Sequence, residues 1–109
     1  MAKTPRPGRP VRGSKTGRPI MALLDLLGQR WTLRVIWELR AGRLTFRALQ
    51  EACDGMSPTV LNGRLKTLRD SGLVDQVGSE GYGLAPLGRE LLDVFLPVVE
   101  WSKRWARRP

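Results

Sequence analysis

The chain has no histidine and a single cysteine, Cys53, among its 109 residues. Without an imidazole there is no ready general acid or base near neutral pH, and one thiol supports neither an intrachain disulfide nor a Cys/His zinc cluster. A lone cysteine fits a reducing compartment. No apolar run approaches the roughly 20 residues that a membrane-spanning helix requires. The basic N-terminus is not followed by the apolar core and small-residue cleavage site of a secretory signal. A carboxylate- or lysine-based enzyme stays formally open, but no nucleophile–base arrangement is visible, and Gly78-Ser79-Glu80-Gly81 is too short to cradle a phosphate. The expectation is a soluble, cytoplasmic protein that is not an enzyme and uses neither cofactor nor metal.

Acid is missing altogether from the first 19 residues, which hold Lys3, Arg6, Arg9, Arg12, Lys15 and Arg18. Overall, 19 Lys and Arg oppose 10 Asp and Glu for a formal charge of +9. Such an excess favours a nucleic-acid partner over an anionic membrane surface. Two-thirds of it lies in residues 1–19, which mix Pro, Gly and basic residues with almost nothing to bury, so a disordered basic tail is expected there and one domain over 20–109. Within the tail, Pro5-Arg6-Pro7-Gly8-Arg9-Pro10 resembles an AT-hook core with one proline inserted. Arg6, Arg9 and Arg12 are therefore candidates for minor-groove or, more simply, phosphate contact. The plainer alternative is a solubilising tail.

Periodicity orders the rest. Ile20, Leu23, Leu24 and Leu27 form one helical face that Gly28 ends, while Met21 and Leu26 lie off it and suit a partner subunit. Leu33, Val35, Ile36, Trp37 and Leu39 make the next helix apolar almost all round, the most buried element, closing at Ala41-Gly42. Arg43-Leu44-Thr45 can pair briefly as a strand. Thr45 then caps a helix carrying Phe46, Leu49, Ala52 and Cys53, and Asp54-Gly55-Met56 turns into another with Ser57 as N-cap and Pro58 at its first position. That helix puts Leu61, Leu65 and Leu68 on one stripe and Thr59, Asn62, Gly63, Lys66 and Asp70 on the other side, until Gly72 stops it. Two short helices with a tight connection, the second polar-faced, make a helix-turn-helix, and the polar face suits a DNA major groove.

Leu73–Val77 and Tyr82–Leu84 read as a hairpin. From Ala85-Pro86 a long helix repeats Leu87, Leu91, Val94, Val98, Trp101 and Trp105 along one stripe and Leu92, Phe95 and Val99 along a second, with Pro97 expected to kink it. One stripe packs on the parent domain. The other is expected to join a second copy of the chain, with Leu92, Phe95 and Val99 meeting it alongside Met21 and Leu26. Trp37, Phe95 and Trp101 read as core before they read as a ligand pocket.

Taken in order, Leu27-Gly28-Gln29-Arg30-Trp31-Thr32, Arg43-Leu44-Thr45-Phe46-Arg47-Ala48-Leu49, Met56-Ser57 through Leu68, Ser71-Gly72-Leu73-Val74 and Leu84-Ala85-Pro86-Leu87-Gly88-Arg89 carry a resemblance. From about Ile20 to Trp101 the chain resembles the HxlR-type winged helix-turn-helix transcriptional regulators, relatives of the MarR group. The resemblance implies a mainly α fold with a small β-hairpin. It further implies a homodimer, joined through the first and last helices, on a pseudo-palindromic operator in double-stranded DNA; the regulator expected from this is a repressor or an activator, with repression the favoured outcome. At matching positions Thr59, Asn62, Gly63 and Lys66 would face bases. Arg30, Thr45, Arg47, Ser57 and Arg64 would meet the DNA backbone, although Thr45 and Ser57 also read as plain helix caps. Two departures stand out: Arg18-Pro19 replaces the Cys-Pro by which many members sense oxidants, and Glu80 sits in a hairpin turn without Lys or Arg. The competing readings are an architectural nucleic-acid binder that works through its tail, and a winged-helix protein-interaction module.

Overall fold

The structure, a computed structural model, describes residues 4–109. Five helices run α1 (Pro19–Leu27), α2 (Thr32–Glu38), α3 (Phe46–Ala52), α4 (Pro58–Asp70) and α5 (Pro86–Ala106), with strands β1 (Val74–Val77) and β2 (Gly81–Leu84) between α4 and α5. The strands pair antiparallel in the register Val74 with Leu84 through Val77 with Gly81, and a single 3-10 turn, Gly78–Glu80, joins them. Leu44 adds a one-residue bridge to Tyr82, exchanging N–H···O bonds of 2.9 and 2.8 Å, so the brief pairing expected at Arg43–Thr45 forms. The result is a winged helix-turn-helix.

Local chemistry sets the helix starts. Pro19, Pro58 and Pro86 each open a helix where no N–H is needed. Thr45 Oγ1 accepts the Ala48 N–H at 3.1 Å and Ser57 Oγ the Val60 N–H at 3.4 Å, each satisfying one orphan donor. The α4 stripe turns inward as its spacing requires: Leu61, Leu65 and Leu68 are 0% exposed, packed with Val35, Leu39, Leu49 and Cys53. Each such leucine contributes about 1.5–3 kcal/mol of burial. Behind them, the Ala85 N–H donates to the Leu73 carbonyl at 3.0 Å, and the start of α5 lies so close that a Cβ on Gly88 would stand 2.0 Å from that same oxygen.

Four expectations need correction. In α1 the core side is Ala22, Leu26 and Leu27, while Ile20 and Leu24 are exposed, so Leu26, expected to face a partner subunit, is buried in this domain's own core. The small Ala22, one turn before Leu26, gives that side close access to the core. In α5 the stripes are exchanged. Leu92 is buried and Phe95 packs against the core, whereas Leu87, Val94, Val98, Trp101 and Trp105 are exposed. The physical reason is that α2 supplies Ile36 and Trp37 to the core that takes in Leu92, with Leu91 and Phe95 packed against it. Helix α2 itself is not buried all round, since Leu33 is 40% exposed.

The segment before α1 also differs from the disorder expected of it. Residues 1–3 lie outside the described residues, but 4–18 fold back as a closed loop. The Gly8 N–H donates to the Gly17 carbonyl at 2.8 Å, Val11 and Ser14 exchange bonds of 2.9 and 3.0 Å, and Ser14 Oγ accepts the Gly17 N–H at 3.1 Å. Two carboxylates hold it down: Asp25 accepts the Arg12 N–H at 3.2 Å, and Asp70 accepts the Thr4 hydroxyl at 3.2 Å. Backbone groups are met locally and opposite charge lies within reach, so little apolar burial is required.

Candidate nucleic-acid interface

Opposite its buried leucines, α4 presents Thr59, Asn62, Gly63 and Lys66, all exposed and at spacings of three and four that place them on one face. A Cβ on Gly63 would meet nothing within 4 Å, so this is an open gap in the helix surface, wide enough for another backbone to approach. Lys66 Nζ donates to Asp70 Oδ2 at 3.2 Å. This hydrogen bond, aided by the Thr4 hydroxyl and by Arg6, holds the Asp70 carboxyl below the usual carboxylate range against a smaller desolvation effect. The one cation on the base-facing side is therefore already paired, at the four-residue spacing that makes neighbours on one helix face.

The expected backbone contacts fall in two places. Arg64 Nε donates to the Arg30 carbonyl, tying the turn between α1 and α2 to the flank of α4. In that turn Trp31 takes a left-handed φ of 76°, unusual for a bulky residue, and the Arg30 guanidinium lies 6.0 Å from its ring centroid. Arg30, Arg64 and Arg12 line one depression, and Arg64 also borders a groove of about 710 Å³ shared by Thr59, Gly63 and Lys66 with Arg6 and Arg9. Ser57, at the start of α4, and Thr45 and Arg47, at the start of α3, line neither. Both hydroxyls are spent as caps, and Arg47 is exposed with Glu51 at 3.8 Å.

The hairpin contributes rigidity. Arg43 Nη1 pairs with Asp75 at 2.6 Å and donates to the Gly81 carbonyl at 3.2 Å, while Arg69 Nη1 donates to Gln76 Oε1 at 3.0 Å and stands over the Tyr82 ring. Its tip, Ser79-Glu80, is exposed and carries no cation. Away from this face, an apolar cleft of about 400 Å³ between α2 and α5 is bordered by Trp37, Phe95 and Val99; Trp101 is not part of it. Among the described residues no group of His, Cys, Asp and Glu could hold a metal ion, and no helix is long and apolar enough to cross a membrane.

A capped helix with one buried leucine stripe and one polar face, followed by a two-stranded hairpin, defines a winged helix-turn-helix protein. The chain belongs to the HxlR-like helix-turn-helix family of transcriptional regulators, whose family model matches residues 26–109. An uncharacterized HTH-type transcriptional regulator of Methanocaldococcus jannaschii is 29% identical over 89 residues, 78% of this chain and 83% of that one. One of Mycobacterium tuberculosis is 30% identical over 99 residues, 85% of this chain and 62% of its own length, so the chain spans less than two-thirds of that relative. Among solved structures, the quinone-bound YodB of B. subtilis superposes with a TM-score of 0.72 at 28% identity, covering 79% of this chain and 97% of that one. A possible HxlR family transcriptional factor of Thermoplasma volcanium gives 0.72 at 30% identity, covering 83% and 86%.

Proposed function

We propose that the protein is a sequence-specific repressor that acts as a homodimer on a pseudo-palindromic operator. The observation that carries this reading is the outward face of α4, four exposed small or hydrogen-bonding residues on a helix whose other side is anchored by three fully buried leucines. Asn62 suits the paired donor and acceptor on adenine, Thr59 a thymine methyl or a hydrogen-bonding edge, and Gly63 lets the helix approach closely. Lys66 reaches a base acceptor once it leaves Asp70. Arg30, Arg47 and Arg64 meet phosphates, and Ser57 and Thr45 bring the N–H-rich starts of α4 and α3 toward them.

Dimerisation uses the apolar surface that the domain leaves open: Val94, Val98, Trp101 and Trp105 on α5, with Ile20 and Leu24 on α1. Met21, Phe95 and Val99 are partly buried, so they border this surface while Leu26 and Leu92 stay beneath it. Two copies joined this way carry two α4 helices to successive major-groove segments, which is what a palindrome matches. The protein works in the cytoplasm, and repression follows from occupancy of the operator.

Enrichment of duplexes from a random DNA pool tests the reading. A recurrent two-fold symmetric sequence is expected. Lys66→Ala should weaken binding to it by about 1–3 kcal/mol and relax preference at one position of each half-site. Equal retention of all sequences at physiological salt would refute the proposal.

A further inference from the structure

The loop formed by residues 4–18 plays no part in base reading by α4, yet it is a built element with anchors at both ends. Thr4 is tied to Asp70 on α4, Arg12 to Asp25 on α1, and Ser14 Oγ accepts the N–H groups of Gly17 and Arg18 at 3.1 and 3.3 Å. Gly17 closes it. That residue is buried with φ +69°, and a Cβ there would lie 2.0 Å from the Arg9 carbonyl oxygen and 2.6 Å from the Arg9 nitrogen. Neither the backbone angle nor the space admits a side chain.

The closed loop stands along the reading face. It forms one wall of the groove whose other wall is Thr59, Gly63, Arg64, Lys66 and Asp70. Across that groove Arg6 and Arg9 join Arg64 and Lys66, four cations against Asp25 and Asp70. Both carboxylates are already engaged, Asp25 by the Arg12 N–H and Asp70 by Thr4 and Lys66. What remains open is exposed guanidinium on Arg6 and Arg9 beside a helix face that carries no unpaired acid. A polyanionic strand matches this wall; an apolar or cationic ligand does not.

We propose that residues 4–18 are a pre-ordered arm, latched to α4 through Thr4 and Asp70, in which Arg6 and Arg9 grip the sugar–phosphate backbone of the DNA that α4 reads. The inference rests on the proposed role of α4 as the reading helix. Its specific content is that the arm's charge acts by placement. An unstructured tail of the same charge contributes through counterion release wherever it lies, whereas a fixed arm lets go of its phosphates once it unfolds, even with every charge retained.

The test uses the full chain and a labelled duplex enriched from a random pool by the wild-type protein, with Kd measured across a salt series. Arg6→Ala with Arg9→Ala should weaken binding roughly tenfold at physiological salt and flatten the log Kd against log salt slope by about 0.9 for each phosphate no longer neutralised. Gly17→Val changes no charge, and the arm proposal expects a comparable weakening and flattening from it. Thr4→Val, which removes one surface hydroxyl and leaves the loop closure intact, should give a smaller effect in the same direction and keeps the test decisive if Gly17→Val impairs folding. Wild-type affinity and slope in both Gly17→Val and Thr4→Val would overturn the arm and leave α4 as the reader. Tighter binding by Gly17→Val would overturn it too, because the loop would then be obstructing the helix. A wild-type chain that enriches no sequence would overturn the α4 reading and the arm together.

Discussion

Cys53 shows how far a single residue can be understood from its surroundings. Its side chain is fully buried among Leu49, Leu61 and Leu65, and burial pushes the thiol above its ordinary value, with the nearby Arg34 cation pulling weakly the other way. A protonated thiol without solvent access is a poor nucleophile. Iodoacetamide should therefore leave the native chain unmodified at neutral pH and alkylate it fully in denaturant, read by intact mass. The same shift carries a sign for stability. Because the folded state holds the proton more tightly, the contribution is complete below the ordinary thiol range, about 8.5, and is lost as pH rises from there through the folded value. No second cysteine exists, and Arg18-Pro19 stands at the start of α1, so this chain has no thiol outside its core.

Among the elements, α4 was the most legible and α5 the least, for one reason. On α4 the leucines occupy a single stripe and everything opposite is polar, so only one orientation buries apolar surface. Its caps were equally readable, and removing one should be measurable: Ser57→Ala forfeits the bond to the Val60 N–H and should lower stability by about 1 kcal/mol in urea unfolding. A larger drop in DNA affinity than in stability would mark Ser57 as a phosphate contact as well. On α5 two apolar stripes compete, and periodicity cannot say which one meets the domain. Ile36 and Trp37 of α2 decide it in favour of Leu92 and Phe95. Helix α1 poses the same ambiguity, which is why Leu26 reads as peripheral in the sequence and is buried in the fold.

At the scale of the whole molecule the open surface is the outstanding fact. Val94 is 69% exposed, and Trp101 and Trp105 stack with ring centroids 6.4 Å apart in full view of solvent. A stripe of that size on the long terminal helix supports the proposed two-fold dimer. Since symmetry places each substitution in the interface twice, Val94→Glu or Trp101→Glu should weaken a dimer by about 3–6 kcal/mol. Sedimentation would show a monomer, with operator binding falling in step. An unchanged sedimentation coefficient in both variants would place the interface elsewhere.

Charge, element order and the chemistry of turns and caps were determined by the sequence, because each depends on residues near one another in the chain. The winged helix-turn-helix could be read from them, and so could the face of α4 that looks away from the core. Two matters were decided only by tertiary structure: which stripe of α5 is covered, and what becomes of the basic N-terminal segment. Each turns on an interaction between distant residues, Leu92 with α2, and Thr4 and Arg12 with Asp70 and Asp25. A Pro- and Gly-rich stretch with little to bury reads as a tail, and it folds as a closed loop because two carboxylates from other helices stand where its N–H and hydroxyl groups can reach them.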